Sequence, residues 1–250
     1  MNKISVIIIT KNESQNIKDC LESVNWADEI IVVDSGSSDE TVEIAKRYTD
    51  KVIFNEWKGY AAQKLFALNQ ANNKWVLSLD ADERVTESLR DEILNTDLEK
   101  FDGYRIKRDN FFLGKMIRGC GWGNDYQLRL FRKSKTTLTK RLVHEGFYVE
   151  GKISNLKSTM LHYSYRNFKD AFDKINYYST LEAVEKQNRK KVNAFTILIT
   201  PVVAFLQHFI IRKGYIDGIY GVFVSILNAY TKLQVQLKIW ELKNKSDVIK

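Results

Sequence analysis

The chain has 250 residues, 44% of them hydrophobic and 28% charged, which excludes a disordered chain and a polytopic membrane protein and leaves room for one large α/β domain with a smaller appendage. The net charge of +8 is unevenly placed: residues 1–150 hold 23 Lys+Arg against 24 Asp+Glu, and residues 151–250 hold 16 against 7. A neutral body with one cationic end is not a chain coated for nucleic acid; the cationic end should meet something anionic, such as a membrane surface, a phosphorylated acceptor or a nucleic acid.

In chain order, Ile4–Ile9, Glu29–Asp34, Lys51–Phe54 and Trp75–Asp80 read as strands. Ser14–Val24, Asp39–Tyr48, Tyr60–Ala71 and Thr86–Asn95 read as the helices between and after them. This alternation predicts a mostly parallel sheet flanked by helices, and Ile30-Ile31-Val32-Val33 is apolar on both faces, as a doubly covered sheet requires. The apolar start, Ile4 to Ile9, is too short for a signal-peptide core and is expected to be the first strand of a cytoplasmic protein. Next come three short strands, Tyr104–Arg108, Gln127–Phe131 and Thr159–Tyr163, the first two separated by a loop with Gly114, Gly119, Gly121 and Gly123. Asn167–Arg189 is a charged amphipathic helix, Phe195–Ile211 is mostly apolar and interrupted by Pro201, and Gly214–Leu242 is helical with Gly218 and Gly221 inside it. We expect an α/β domain over residues 1–165 and a basic helical region over 166–250, the latter a membrane-associating element or a homo-oligomer interface. Cys20 and Cys120 form no metal-spaced cluster, so neither a zinc site nor a disulfide framework is expected.

Ligands of open α/β sheets bind beyond the C-terminal strand ends. The first strand ends in Thr10-Lys11-Asn12-Glu13, the second in Asp34-Ser35-Gly36-Ser37-Ser38-Asp39, and the fourth in Asp80-Ala81-Asp82-Glu83. Acidic clusters converging on one edge need a cation, a hydrogen-bonding ligand, or both. Asp80 and Asp82 flank one small residue and offer hard oxygens to Mg²⁺ or Mn²⁺; the alternative is a solvated turn with Asp82 capping the next helix. Asp34 can accept from a ribose or a base, whereas Asp39 reads better as a helix cap. There is no G-x-G-x-x-G, no G-x-x-x-x-G-K-[ST] and no G-x-S-x-G, so a dinucleotide enzyme, a P-loop NTPase and an α/β hydrolase are disfavoured.

The segments V-I-I-I-T-K-N-E, I-I-V-V-D-S-G-S-S-D-E-T, G-Y-A-A-Q-K and W-V-L-S-L-D-A-D-E resemble glycosyltransferase family 2. Asp125 to Arg132, Val143-His144-Glu145 and Gly214 to Gly218 are similar to its branch of lipopolysaccharide core β-glucosyltransferases acting on heptose. The resemblance implies a GT-A fold and inverting, metal-dependent transfer from a nucleotide sugar, with UDP-glucose as the expected donor and a core or related envelope glycan as acceptor. It implies that Thr10, Glu13 and Asp34 hold the nucleoside, that Asp80 lies near ribose and metal, and that Asp82 ligates the metal. Lys64 falls where a cation reaches the base or the phosphates; a solvated helix charge is the alternative. A single displacement needs a general base, for which Glu145 is the first candidate and Asp125 the second; the alternative for Asp125 is a turn or an ion pair with Arg129. His144 would orient Glu145 or approach the metal.

Lys186, Arg189, Lys190 and Lys191 precede the apolar run, and Arg212 and Lys213 follow it. Charges that bracket an apolar helix suit peripheral anchoring on anionic lipid at the inner face of the cytoplasmic membrane more than nucleic acid. The competing readings are a nucleotidyltransferase acting on a sugar phosphate, which would more typically carry a Gly-rich phosphate loop, and a non-catalytic membrane-binding scaffold, which would not need Asp34, Asp80 and Asp82.

Overall fold

The computed structural model describes residues 2–138 and 146–244. In chain order the elements are β1 (Ile4–Thr10), α1 (Ile17–Glu22), β2 (Glu29–Asp34), α2 (Thr41–Ala45), β3 (Val52–Phe54), α3 (Tyr60–Gln70), β4 (Trp75–Asp80), β5 (Glu83–Val85), α4 (Glu87–Asn95), β6 (Gly103–Phe112), β7 (Lys115–Met116), β8 (Asp125–Arg132), β9 (Thr136–Leu138), β10 (Phe147–Val149), β11 (Ile153–Tyr165), α5 (Phe168–Lys186), α6 (Ala194–Leu206) and α7 (Ile219–Asn244). They form two compact units: Met1–Asp109 with Asp125–His162, and Asn110–Asn124 with Tyr163–Lys250.

The first unit is the expected α/β layer structure. Its sheet runs β3-β2-β1-β4-β8-β6-β11-β5. The pairs β2–β3, β1–β2 and β1–β4 are parallel. The pairs β4–β8, β6–β8 and β5–β11 are antiparallel, so the sheet is mixed. Period-two alternation splits its apolar side chains between two cores. Ile4, Val6, Ile8, Val32, Leu77 and Leu79 share one with Ile17 and Leu21 of α1 and Leu89 and Ile93 of α4. Ile7, Ile31, Val33 and Val76 share the other with Ala67 and Leu68 of α3. Each fully buried Val, Leu or Ile contributes about 1.5–3 kcal/mol, which is why the two-faced apolar strands sit in the middle of the sheet.

The helices beside the site are shorter than their apolar periodicity predicts. α1 starts at Ile17, not near Ser14, because the Glu13 and Ser14 N–H groups donate to Thr41 Oγ1 and Asp39 Oδ2. α2 covers only Thr41–Ala45; its N-cap is Glu40, with no side-chain cap bond, so the expected Asp39 cap is not formed, and Asp39 Oδ1 instead accepts from the Thr41 N–H at 3.1 Å from one position before the cap. Conversely, β6, β8 and β11 outrun the short strands read from sequence. Their outer parts carry charged residues that hide a strand pattern.

The second unit holds α5, α6 and α7 with the β6–β7 turn. Asn167 caps α5 by accepting from the Asp170 N–H at 2.8 Å. Pro201 does not interrupt the apolar run; it lies inside α6, which continues into a wider π-helical turn over Gln207–Ile211. A proline deletes one backbone bond, and the remaining ladder carries the helix past it. Gly214 to Gly218 is not part of α7: Gly214–Asp217 is a 3₁₀ turn, and Gly218 at φ +59° separates it from α7.

Candidate active site

Strand register assembles the site within the first unit. Thr10 pairs with Asp34, and Ile9 pairs with Asp80, so three neighbouring parallel strands end together. Thr10 is buried, and its Oγ1 has no hydrogen-bond partner among the described residues. Asp34 is buried too, and it holds its own turn: Oδ2 accepts from the Gly36 and Ser37 N–H groups at 2.8 and 2.9 Å, and Oδ1 from Ser37 Oγ at 2.5 Å. Gly36 adopts φ +86°, a conformation glycine takes without strain. Asn12, in the left-handed region at φ +55°, ties this turn to the end of β1: its N–H donates to Ser37 Oγ, and its Oδ1 accepts from the Ser38 N–H. Glu13 Oε2 accepts from Asn16 Nδ2 at 2.6 Å, and Asn16 Oδ1 accepts from Arg84 at 3.2 Å.

Beneath the Asp34 turn lies a residue that sequence reasoning passed over. Gln63 is fully buried; it donates to Ser35 Oγ at 2.8 Å and to the Asn55 carbonyl at 3.1 Å, and accepts from Asn55 Nδ2 at 2.6 Å. Its amide stands in G-Y-A-A-Q-K, directly before the charged Lys64.

Asp80 does not stand free at the end of β4. Lys64 Nζ lies 3.2 Å from Oδ1 and Arg129 Nη2 lies 2.5 Å from Oδ2. Burial pushes its carboxyl up, but the charges of Arg129 and Lys64 outweigh this and hold it well below the usual carboxylate range. Arg129 also bonds Glu83, which is wholly buried and receives Arg108 at 3.1 Å as well. Burial opposes the charge on Arg129, yet Asp80 and Glu83 raise its pKa above the ordinary value. The chain of charges ends at Asp125, whose Oδ2 accepts from Arg108 and whose Oδ1 accepts from Gln127 Nε2 at 2.7 Å. The partner of Asp125 is thus Arg108, its cross-strand neighbour in the β6–β8 register, and not Arg129.

Asp82 has a different setting. It is buried, with Oδ1 3.6 Å from His162 Nε2. The β5–β11 pairing puts His162 opposite Glu83. β5 is three residues long and escaped sequence reading, so nothing there linked His162 to Asp82. A carboxylate oxygen and an imidazole nitrogen this close are donor types that suit a divalent ion. Among the described residues no group of three or more His, Cys, Asp or Glu converges on one point, so substrate oxygens or water would complete such a shell. Glu145 and His144 lie outside the described residues. Cys20 and Cys120 are both free and buried.

Similarity to known proteins extends over nearly the whole chain. The profile of "Glycosyl transferase family 2" matches residues 5–141. An uncharacterized glycosyltransferase of Rickettsia prowazekii is 34% identical, over 98% of this chain and 89% of its own length. The lipopolysaccharide core biosynthesis glycosyltransferase LpsC of Rhizobium meliloti is 31% identical, over 90% of each chain. A solved structure of S. aureus TarS in complex with UDP-GlcNAc covers 97% of this chain and 92% of its own at 14% identity, with a TM-score of 0.49. The site lies on a GT-A-like α/β fold, and the chain belongs to glycosyltransferase family 2.

Proposed function

We propose that this glycosyltransferase moves a hexose, glucose from UDP-glucose, with inversion and with a divalent ion, onto a lipopolysaccharide core or related envelope glycan at the inner face of the cytoplasmic membrane. The observation that carries the reading is the Asp82–His162 pair beside the cation-held Asp80, at the edge formed by the ends of β1, β2 and β4. The 31% identity to LpsC, a lipopolysaccharide core biosynthesis enzyme, supports the acceptor class.

In this reading Thr10, Glu13 and Asp34 bind the nucleoside; the buried Thr10 hydroxyl, without a partner among the described residues, suits a base or ribose atom. Asp80 positions Lys64 and Arg129, and Lys64 faces the diphosphate. Asp82 and His162 would hold Mg²⁺ or Mn²⁺, which when bound neutralises charge at the departing diphosphate. The acceptor hydroxyl attacks the anomeric carbon, the bond to the diphosphate oxygen breaks, and Glu145 takes the hydroxyl proton. Asp125 is the less suited base, because Arg108 and Gln127 already engage both its oxygens.

The test is calorimetry and turnover with a panel of nucleotide sugars, with and without Mn²⁺. UDP-glucose should give the tightest metal-dependent binding, and Asp82→Ala should remove the metal-dependent part while lowering turnover by roughly a hundredfold or more. Unchanged metal-dependent binding in Asp82→Ala would refute the metal assignment, and turnover of a nucleoside triphosphate with a sugar phosphate would favour the nucleotidyltransferase instead.

A further inference from the structure

Between Glu185 and Asp217 the sequence has no acidic residue, yet it carries Lys186, Arg189, Lys190, Lys191, Arg212 and Lys213. The stretch between these basic groups, Ala194–Ile211, is an uncharged apolar helix of which only 11% is buried. Its exposed residues recur at helical spacing: Phe195 is 70% exposed, Leu198 70%, Val202 55% and Leu206 45%, continuing to Ile210 and Ile211. An apolar stripe of this length is far more than the scattered surface hydrophobics of an ordinary soluble unit.

We infer that this stripe is an in-plane wedge for an anionic lipid leaflet, with α6 lying along the surface and the flanking cations over the headgroups. It rests on the transferase reading only for its purpose, bringing the enzyme to a membrane-held acceptor.

Three observations decide against other modes. First, although its 18 residues are long and apolar enough to cross, Pro201 lies inside them and Gln207 and His208 fall in the last turns, polar groups that a crossing helix would carry into hydrocarbon. Second, its other side is fixed to α7, where Thr200 Oγ1 accepts from Gln236 Nε2 at 3.2 Å, and α7 carries Lys232, Lys238 and Lys243, which would be drawn into hydrocarbon with it. Third, a two-fold pairing of the same face in a second copy would bring the basic flanks of the two copies together with no acidic partner in this segment. Lipid phosphates satisfy both halves of the pattern at once: they attract Arg189, Lys191, Arg212 and Lys213, all exposed, while the acyl boundary accepts the aliphatic stripe.

The experiment is co-sedimentation of the full chain with phosphatidylglycerol-containing vesicles and with phosphatidylcholine vesicles, with donor hydrolysis measured in parallel without vesicles. Binding should require the anionic lipid and weaken with salt. Replacing Arg189, Lys191, Arg212 and Lys213 together by Gln should lower the vesicle partition at least roughly a hundredfold. Leu198→Ser with Val202→Ser should lower it by a similar factor with every charge in place. Vesicle-free hydrolysis should persist in each variant, which also shows that each one folds. Absence of binding to anionic vesicles at low salt overturns the proposal, as does equal binding to both vesicle types. Concentration-dependent dimerisation that the two serine substitutions abolish, without vesicle binding, would assign the face to a second copy instead. Loss of hydrolysis in the unaltered chain, with vesicle binding intact, would instead count against the transferase reading alone.

Discussion

Arg129 is buried between Asp80 and Glu83, and its place explains why Asp80, Glu83 and Asp125 share a small volume with Arg108 and Arg129. Each charge is solvated by the next, so removing one strands the others. Arg129→Ala should therefore cost about 3–5 kcal/mol of unfolding free energy, read by urea denaturation. A loss below about 1 kcal/mol would mean the network is solvated from elsewhere. Glu29 makes a second, pH-dependent case at the opposite strand end. Burial pushes its carboxyl up, but hydrogen bonds from the Asn72 N–H, Lys51 and Ser5 outweigh that and lower it from an ordinary 4.5 to about 2. The folded value is the lower one, so this stabilisation is complete above pH 4.5 and is lost as pH falls toward 2. Unfolding curves at a series of pH values should show a shallower acid loss in Glu29→Gln than in the unaltered chain; identical slopes would remove Glu29 from the account.

At the scale of elements, α7 shows why a helical pattern is not a helix boundary. Apolar spacing runs on from Gly214, but a Cβ on Gly221 would stand 1.7 Å from the Gly214 carbonyl oxygen, and one on Gly214 would meet Cys120 Sγ at 2.7 Å. The chain folds back on itself there, and only glycines permit the approach. Gly221→Ala should lose about 1–3 kcal/mol or more by thermal unfolding. Gly218→Asn meets no atoms, yet φ +59° with ψ −134° lies outside the left-handed region that Asn tolerates, so it should cost about 1–3 kcal/mol through backbone strain alone. Legibility followed the same logic elsewhere. The ends of β1, β2 and β4 could be read because mostly apolar runs stop abruptly at Thr10, Asp34 and Asp80. The Asp82–His162 pair could not, because it depends on the antiparallel β5–β11 register across more than seventy residues of sequence. Gln63 was hidden for another reason: on one face of α3 an amide reads as solvated, and only the tertiary position of Ser35 and Asn55 makes it a buried crosslink.

For the whole molecule, the decisive quantity is how charge is divided along the chain. Residues 1–150 are nearly neutral, yet their carboxylates gather at the sheet edge, where Lys64, Arg108 and Arg129 already compensate part of them. Residues 151–250 have no such balance, with 16 Lys+Arg against 7 Asp+Glu, six of the cations flanking the α6 stripe. Compensated, buried pairs are poorly screened by salt, whereas exposed cations facing a lipid surface are screened over a Debye length of about 10 Å at 0.1 M. The two halves should therefore respond differently to ionic strength. Raising salt from roughly 0.05 to 0.5 M should slow transfer to a vesicle-embedded glycolipid acceptor by about tenfold or more, chiefly through KM. Transfer to a soluble fragment of the same acceptor should change less than about twofold, because the donor-side charges are paired inside the protein. Equal salt sensitivity on both acceptors would locate the screened step in donor binding and would remove the basic half from acceptor capture.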